Sequence, residues 1–394
     1  MSKNNQVRFF AIAAAGFLAF ALGGPASAFH GGGVATCDGC HTMHQSADNP
    51  LGSDDAPNAA VASGFLLKGT DASSTCLNCH AGAGKATSYH IFSEDASAQT
   101  PGGDFFWLTK SFTNSNWSGD VISDPDQMGH NVIAADWNLT QDLNNTAAPG
   151  GAYLSVNLGC TSCHDPHGQV LGGTGGGQLP ISESGSYGDV PVAGTIAGNY
   201  RLLGDTGHGL AAAPIAVTQY ATRFAETDAA HPAYGQGMSE WCGSCHPDFV
   251  VPVVHKHIAG NTAVLGSLAS NYNSYIETGD FNGVPATSYN ALVPFERQET
   301  DKATLLADYT GTAGPDASDD NVMCLSCHRA HASAFENITR WDMTEEFLID
   351  SLPGATELGT MGVTDVTAPY YGRDITTVFG AYQRSLCNKC HVKD

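Results

Sequence analysis

Positive charge is scarce in this sequence: 16 Lys and Arg stand against 39 Asp and Glu, for a formal net charge of −23. So acidic a chain offers no basic face, which excludes a nucleic-acid binder and a protein that docks onto anionic lipid. Charge of either sign is thin, at 14% of residues, against roughly 25% in ordinary globular chains. Long apolar runs are missing too, which excludes a polytopic membrane protein. The one apolar stretch, Phe9–Leu22, is 14 residues long, and a bilayer span needs about 20. No cysteine stands outside a repeated short motif, so none is left for the disulfide framework an exported chain would ordinarily carry.

That apolar stretch follows Lys3 and Arg8 and is closed by Gly23, Gly24 and Pro25, and Ala26-Ser27-Ala28 supplies an A-x-A cleavage pattern. Residues 1–28 therefore read as a signal peptide and residues 29–394 as a single domain, with Phe29 at its start. Cleavage removes two cations and no acid, taking the net charge from −23 to −25. The expectation is an exported, soluble, acidic protein with no membrane insertion.

What the chain has in place of these features is paired cysteine marked by histidine. The 12 Cys form six C-x-x-C pairs: Cys37/Cys40, Cys76/Cys79, Cys160/Cys163, Cys242/Cys245, Cys324/Cys327 and Cys387/Cys390. A histidine follows each pair at once: His41, His80, His164, His246, His328 and His391. C-x-x-C-H is the attachment signature of c-type haem. The two thiols bond to the haem vinyl groups, and the next residue brings an imidazole to one face of the iron. Zinc held by paired C-x-x-C motifs leaves the six histidines and the export signal unexplained, as do redox dithiols. Six covalent haem c groups are expected, and no catalytic residue.

Ten histidines remain for the opposite faces: His30, His44, His90, His130, His167, His208, His231, His255, His257 and His331. That supply permits bis-histidine iron throughout, a coordination closed to substrates and suited to electron transfer. Methionine, the competing ligand that raises the potential, stands in no evident ligand context. His44, His167 and His331 each follow a proximal histidine by three residues. Tethered to one face of its own haem, such a residue cannot cross the porphyrin plane, so it serves a different haem or none. The isolated His208, His231 and His255 read more simply as ordinary polar side chains.

The motifs start at 37, 76, 160, 242, 324 and 387, with no tight repeat, and residues 29–394 shared among six haems leave 61 for each. Haems so dense call for wrapping loops more than layers of regular structure, and Gly-rich runs such as LGGTGGGQLP at 171–180 agree. Short helices are predicted over Thr262–Tyr275, Glu296–Tyr309 and Asp342–Leu352, the last capped by Asp342 or Thr344. No βαβ series or run of alternating strands is present. The fold class is a multihaem c-type cytochrome, mostly irregular loop with a few short helices and little β. The haems should form most of the core, with Trp107, Trp117, Trp137, Trp241 and Trp341 packed nearby.

Several segments carry a resemblance: FHGGGVATCDGCHTMH (29–44), CLNCH (76–80) with SYHIF (88–92), PGGDFFW (101–107) and GHNVIA (129–134). It continues through CTSCHDPHG (160–168), AYGQGMSEWCGSCH (233–246), CLSCHRAHAS (324–333) and AYQRSLCNKCHVKD (381–394). Together they are similar to the hexahaem outer-surface cytochromes of metal-reducing bacteria that build extracellular filaments, or nanowires. The resemblance implies six closely stacked bis-histidine haems in a continuous line. It also implies head-to-tail assembly with copies of the same chain, in which His44 ligates a neighbour's haem at Cys324, Cys327 and His328. Such an interface is heterologous and need not close, as a filament requires. The implied partners are electron-donor cytochromes of the periplasm or outer membrane and external acceptors such as metal oxides or partner cells, at a secreted, extracellular location. Distal-ligand candidates in or near the matched segments are His30, His44, His90, His130, His167, His257 and His331, with His255 in reserve beside His257; seven candidates for six irons leave one surplus. A monomeric periplasmic shuttle is the alternative and would need all six irons ligated within one chain. A multihaem reductase would need an open iron, of which the sequence has no sign.

Overall fold

Short turns carry this fold, as a chain with 46 Gly and 18 Pro dictates. The computed structural model describes residues 37–41, 66–82, 90–116, 119–166, 203–204, 209–218, 224–250, 257–301, 304–305, 311–351 and 355–392. The signal segment 1–28, His30, His44, Trp117, His167, His208 and His255 lie outside the described residues.

The longest helix among the described residues, α2 (Ala72–His80), follows the four-residue α1 (Cys37–Cys40). Asp71 caps α2 by accepting the Ser74 N–H at 2.7 Å, which satisfies one of the donors that a helix start leaves open. Two further short helices, α3 (Cys160–Cys163) and α4 (Met238–Cys242), belong to the third and fourth motifs. Strand is equally sparse. A hairpin pairs β1 (Thr113–Asn116) with β2 (Gly119–Ile122). A small sheet orders β3 (Ala216–Val217), β4 (Ala233–Tyr234), β5 (Glu296–Arg297) and β6 (Asp320–Asn321), antiparallel except between β4 and β5. No helix among the described residues is long and apolar enough to cross a membrane.

Two helical expectations need correction. The segment predicted as helix over Glu296–Tyr309 opens as strand β5, and only Thr304 and Leu305 are helical among its described residues. Burial decides this: the Glu296 carboxylate is wholly enclosed and accepts the Met238 N–H at 3.1 Å, which holds the chain extended between β4 and β6. In the segment over Asp342–Leu352, Asp342 spends its carboxylate on an Asx turn, taking the Thr344 N–H at 2.8 Å. Only Leu348–Ser351 then forms a 3₁₀ turn. The third expectation holds in shortened form, as Leu268–Ser274.

Side chains supply a core of their own, in which Phe105, Phe106, Trp107, Tyr272, Trp341 and Tyr370 are almost fully buried. Trp137 packs against it in part. Three loops knit together along one edge. His331 and Ala330 donate their N–H groups to Gly102 O, Asp104 donates to Ala332 O, and His130 donates to His331 O, all at 2.7–3.1 Å. Gly103 makes this approach possible: its φ is +110°, and a Cβ there would lie 1.9 Å from Ala332 O. Asp104 anchors the same loop from inside, its carboxylate accepting from Ser93 N, Ala98 N and Phe106 N at 2.9–3.1 Å and from the Ser93 hydroxyl. Its burial raises its pKa despite those bonds.

Candidate haem-binding sites

Each C-x-x-C-H folds as a single closed turn. The histidine N–H of the third, fourth, fifth and sixth motifs returns to the carbonyl of the first cysteine at 2.9–3.1 Å. The second motif does the same within helix α2. Residues three apart in such a turn share a face, so both thiols point one way. In the second motif Cys76 and Cys79 both stand inside α2, a helix of 9 residues. Cys79 is half-buried there, one turn beyond Cys76 and directly before His80. The Asp71 cap, which starts the helix upstream of the motif, is what extends it. None of the described cysteines is in a disulfide.

The imidazoles meet in pairs. His130 faces His246 with ring centroids 6.0 Å apart, His164 faces His331 at 6.2 Å, and His257 faces His391 at 5.9 Å. Two imidazole nitrogens on opposite sides of one metal, each about 2 Å from it, put the ring centroids about 6 Å apart. The remaining nitrogens agree with that arrangement. Nδ1 of His130, His246, His257 and His328 lies 2.8–2.9 Å from the carbonyls of Ala330, Pro149, Ile258 and Asn337 respectively. A carbonyl only accepts, so each Nδ1 carries the hydrogen and each Nε2 presents a lone pair to a metal. Burial holds His130 and His328 below the usual imidazole range, in the neutral form that ligates. These residues fit haem iron.

His231 does not. Its Nδ1 faces Pro232 O and its Nε2 faces Gly311 O, so both nitrogens are committed to carbonyls, and the ring stacks on Tyr289 at 3.7 Å. It is a structural histidine. His41, His80 and His90 are half-buried, and the Ile91 N–H donates to His80 O at 2.8 Å. Among the described residues no second imidazole ring faces His328.

The motifs also neighbour one another in chain order. The thiols of Cys76 and Cys160 share a hydrogen bond that raises the former and lowers the latter, and Cys242 and Cys324 repeat the arrangement. Cys163 feels the charge of Cys245, and Cys327 that of Cys387 and Cys390. A backbone rung recurs at the first, third and fifth motifs. His41, His164 and His328 form isolated bridges with Leu67, Leu203 and Thr339. The next residue in each case, Lys68, Gly204 or Arg340, donates its N–H to the second cysteine's carbonyl at 2.8–2.9 Å. Tryptophans pass the link onward: Trp241 Nε1 donates to Gly204 O at 2.9 Å, and Trp341 Nε1 to Ser385 Oγ at 3.0 Å.

The fifth motif is held by buried charge. Arg340 donates Nε to Leu325 O at 2.7 Å and to His328 O at 3.1 Å. Its Nη1 and that of Arg329 both reach Glu226 Oε1, at 3.1 and 2.7 Å, and all three side chains are at most 2% exposed. Arg329 also lies over the Tyr371 ring, 3.7 Å from its centroid. Sequence reading missed Glu226, Arg340, Gly103 and the Asp104 anchor. PGGDFFW was visible as a segment, but nothing in it names Ala332 as its partner.

No family model matches the chain. It is 41% identical to the c-type cytochrome OmcS of Geobacter sulfurreducens, over the full length of both chains. Two solved structures are similar to it as well. The OmcS nanowires from Geobacter sulfurreducens, determined by cryo-EM, match with a TM-score of 0.74 and 38% identity, covering 93% of this chain and 100% of that one. The outer membrane cytochrome S filament from the same organism matches at 0.75 and 40%, with the same coverage.

Proposed function

Because the chain belongs to the family of the c-type cytochrome OmcS, we propose that it carries six haem c groups, each iron gripped by two histidines, and serves as the repeating subunit of an extracellular electron-conducting filament. The observation that carries this reading is the set of three facing imidazole pairs at 5.9–6.2 Å. When bound, the haem irons supply the chemistry by cycling between ferric and ferrous states. The polypeptide's work is to anchor, orient and space them, and it acts on no substrate of its own.

The anchors are the twelve cysteines of the six motifs, with Cys79 as the second thiol of the haem on α2. The proximal ligands are the histidines of the same motifs, and the pairs give three distal ones: His331 for the iron at His164, His130 for that at His246, and His257 for that at His391. C-H-x-x-H occurs only in the first, third and fifth motifs. Its second histidine in the fifth motif, His331, faces the third, so donation runs two motifs back. The same step assigns His167 to the iron at His41. It carries His44 out of its own chain, to the fifth motif of the preceding copy. This supports the crossing of His44 to a neighbour's haem at Cys324, Cys327 and His328, and the His328 ring, which no second imidazole faces among the described residues, suits it. His90 then serves the iron at His80, and His30 is surplus. Residues 29–394 act as one domain after loss of residues 1–28.

Electrons enter from periplasmic or outer-membrane cytochromes and leave to external acceptors. An intact mass showing six added haems, with filaments in the secreted fraction by negative-stain microscopy, tests the reading. His44→Ala should leave folded, fully haem-loaded monomers; filaments that survive that change refute the bond between copies.

A further inference from the structure

The second and fourth motifs share a side chain for which haem ligation has no use. Both read S-x-x-C-x-x-C-H, with Ser73 ahead of Cys76 and Ser239 ahead of Cys242. On a helix a serine and a cysteine three apart lie on one face, and in both motifs that face meets the next motif along the chain. Ser73 Oγ accepts the Cys160 N–H at 3.0 Å, and Ser239 Oγ accepts the Cys324 N–H at 3.0 Å. The thiols beside them touch in the same combinations, Cys76 with Cys160 and Cys242 with Cys324.

The receiving motifs match each other as well. Both read N-x-x-C-x-S-C-H, and Ser162 and Ser326 accept the N–H groups of Gly159 and Met323, each at 3.0 Å. The N–H of the receiving cysteine opens a turn and has no partner within it, so the hydroxyl of a neighbouring motif is its cap. Ser73 is 3% and Ser239 0% exposed. Water therefore has little access to replace a deleted hydroxyl, and the N–H would be left unpaired. At the sixth motif the corresponding position is Arg384, so the joint to a following copy has no such clasp.

We propose that Ser73 and Ser239 are positioning residues for electron transfer, clasping the second motif to the third and the fourth to the fifth and so fixing the separation of the macrocycles they carry. The inference rests on the reading that every motif holds a haem. It differs from that reading in naming which side chains set the spacing. Both contacts have the same donor, acceptor and length, at sites far apart in the sequence.

The test uses the full-length secreted protein with Ser73→Ala, Ser239→Ala, the double substitution, and Ser→Thr at each site. Haem number is read by intact mass, and inter-haem coupling by the Soret circular-dichroism couplet. All variants should load six haems. Each alanine should reduce the couplet, the double should reduce it further, and threonine should restore it, while low-spin iron is unchanged. Six haems with the parental couplet in the double variant overturn the proposal. Fewer than six haems in the parent would instead overturn the haem reading beneath it. If an alanine variant does not accumulate, threonine decides: six haems with the parental couplet assign the junction to the hydroxyl, and an altered couplet or loss of haem overturns it.

Discussion

His257 and His391 face each other with ring centroids 5.9 Å apart and planes at 78°, although they come from opposite ends of the fourth-to-sixth motif segment. On the proposed bis-histidine ligation, removing either imidazole would leave an iron with one protein ligand. His257→Ala should therefore convert one iron of the six to the high-spin form, read by electron paramagnetic resonance, without loss of haem. His130→Ala and His331→Ala should each do the same for a different iron. His231→Ala should leave every iron low-spin and lower stability by about 1–3 kcal/mol, because a buried carbonyl loses its donor and the ring stacked on Tyr289 is removed. A high-spin signal from that variant would show the ligand assignment to be wrong.

Glu226 lies between two buried guanidiniums, and burial works to raise its pKa. The charges of Arg329, Arg340 and Arg373 outweigh that effect and hold it below the usual carboxylate range. A depressed folded-state value means its stabilising contribution is present above the unfolded value, about 4.3, and is lost as pH falls through the folded one. Glu226→Gln should destabilise the protein by about 3–5 kcal/mol at neutral pH, since it strands two buried cations. It should also flatten the acid limb of a melting-temperature profile. An unchanged acid limb would assign that limb to other carboxylates.

Glu296 shifts the other way. Burial first, then the Glu240 carboxylate, pushes it up to about 8. The folded chain then holds a proton that the unfolded chain releases, so this contribution is full below about 4.3 and is lost as pH rises toward the folded value. Between pH 5 and pH 8 the parent should lose stability. Glu296→Gln should lose less, and should melt higher than the parent at pH 8. A variant whose melting temperature tracks the parent across that range would contradict this.

Gly103→Ala should be among the most damaging single substitutions outside the haem motifs. Its Cβ would lie 1.9 Å from Ala332 O at a φ of +110°, so the loop carrying Asp104 must part from the one carrying His331. The expected outcome is a drop in yield of folded protein and a high-spin component from the iron at His164. Gly82→Ala serves as the control: its φ is also positive, but nothing lies within 4 Å of the added carbon. It should cost only about 1 kcal/mol.

The six C-x-x-C-H motifs were fully legible, because each is compressed into five consecutive residues. Their local setting was less so: that Cys79 sits in a helix and not a loop depends on the Asp71 cap upstream of it. Distal pairing was not legible. His331 finds His164 through space, and what aims it is a set of backbone bonds to Gly102 and His130, which no local pattern records. The helix predicted over Glu296–Tyr309 failed for a related reason: an acidic residue that looks solvent-facing in sequence is enclosed by strands from distant segments. The two-motif repeat escaped notice because spacing does not mark it: motif starts at 76, 160, 242 and 324 follow one another at nearly equal intervals, so nothing in the gaps sets alternate motifs apart. Taken two at a time, motif starts at 76 and 242, and at 160 and 324, are offset almost equally, and the serine patterns then fall into place.

The alternation of side-chain clasp and backbone rung bears on how such a conductor can change its length. A rung leads from the first, third and fifth motifs onward, and a hydroxyl leads from the second and fourth. Splicing one haem in or out would bring two unlike ends together, whereas splicing two would leave every seam intact. A cable built on this plan lengthens in even steps.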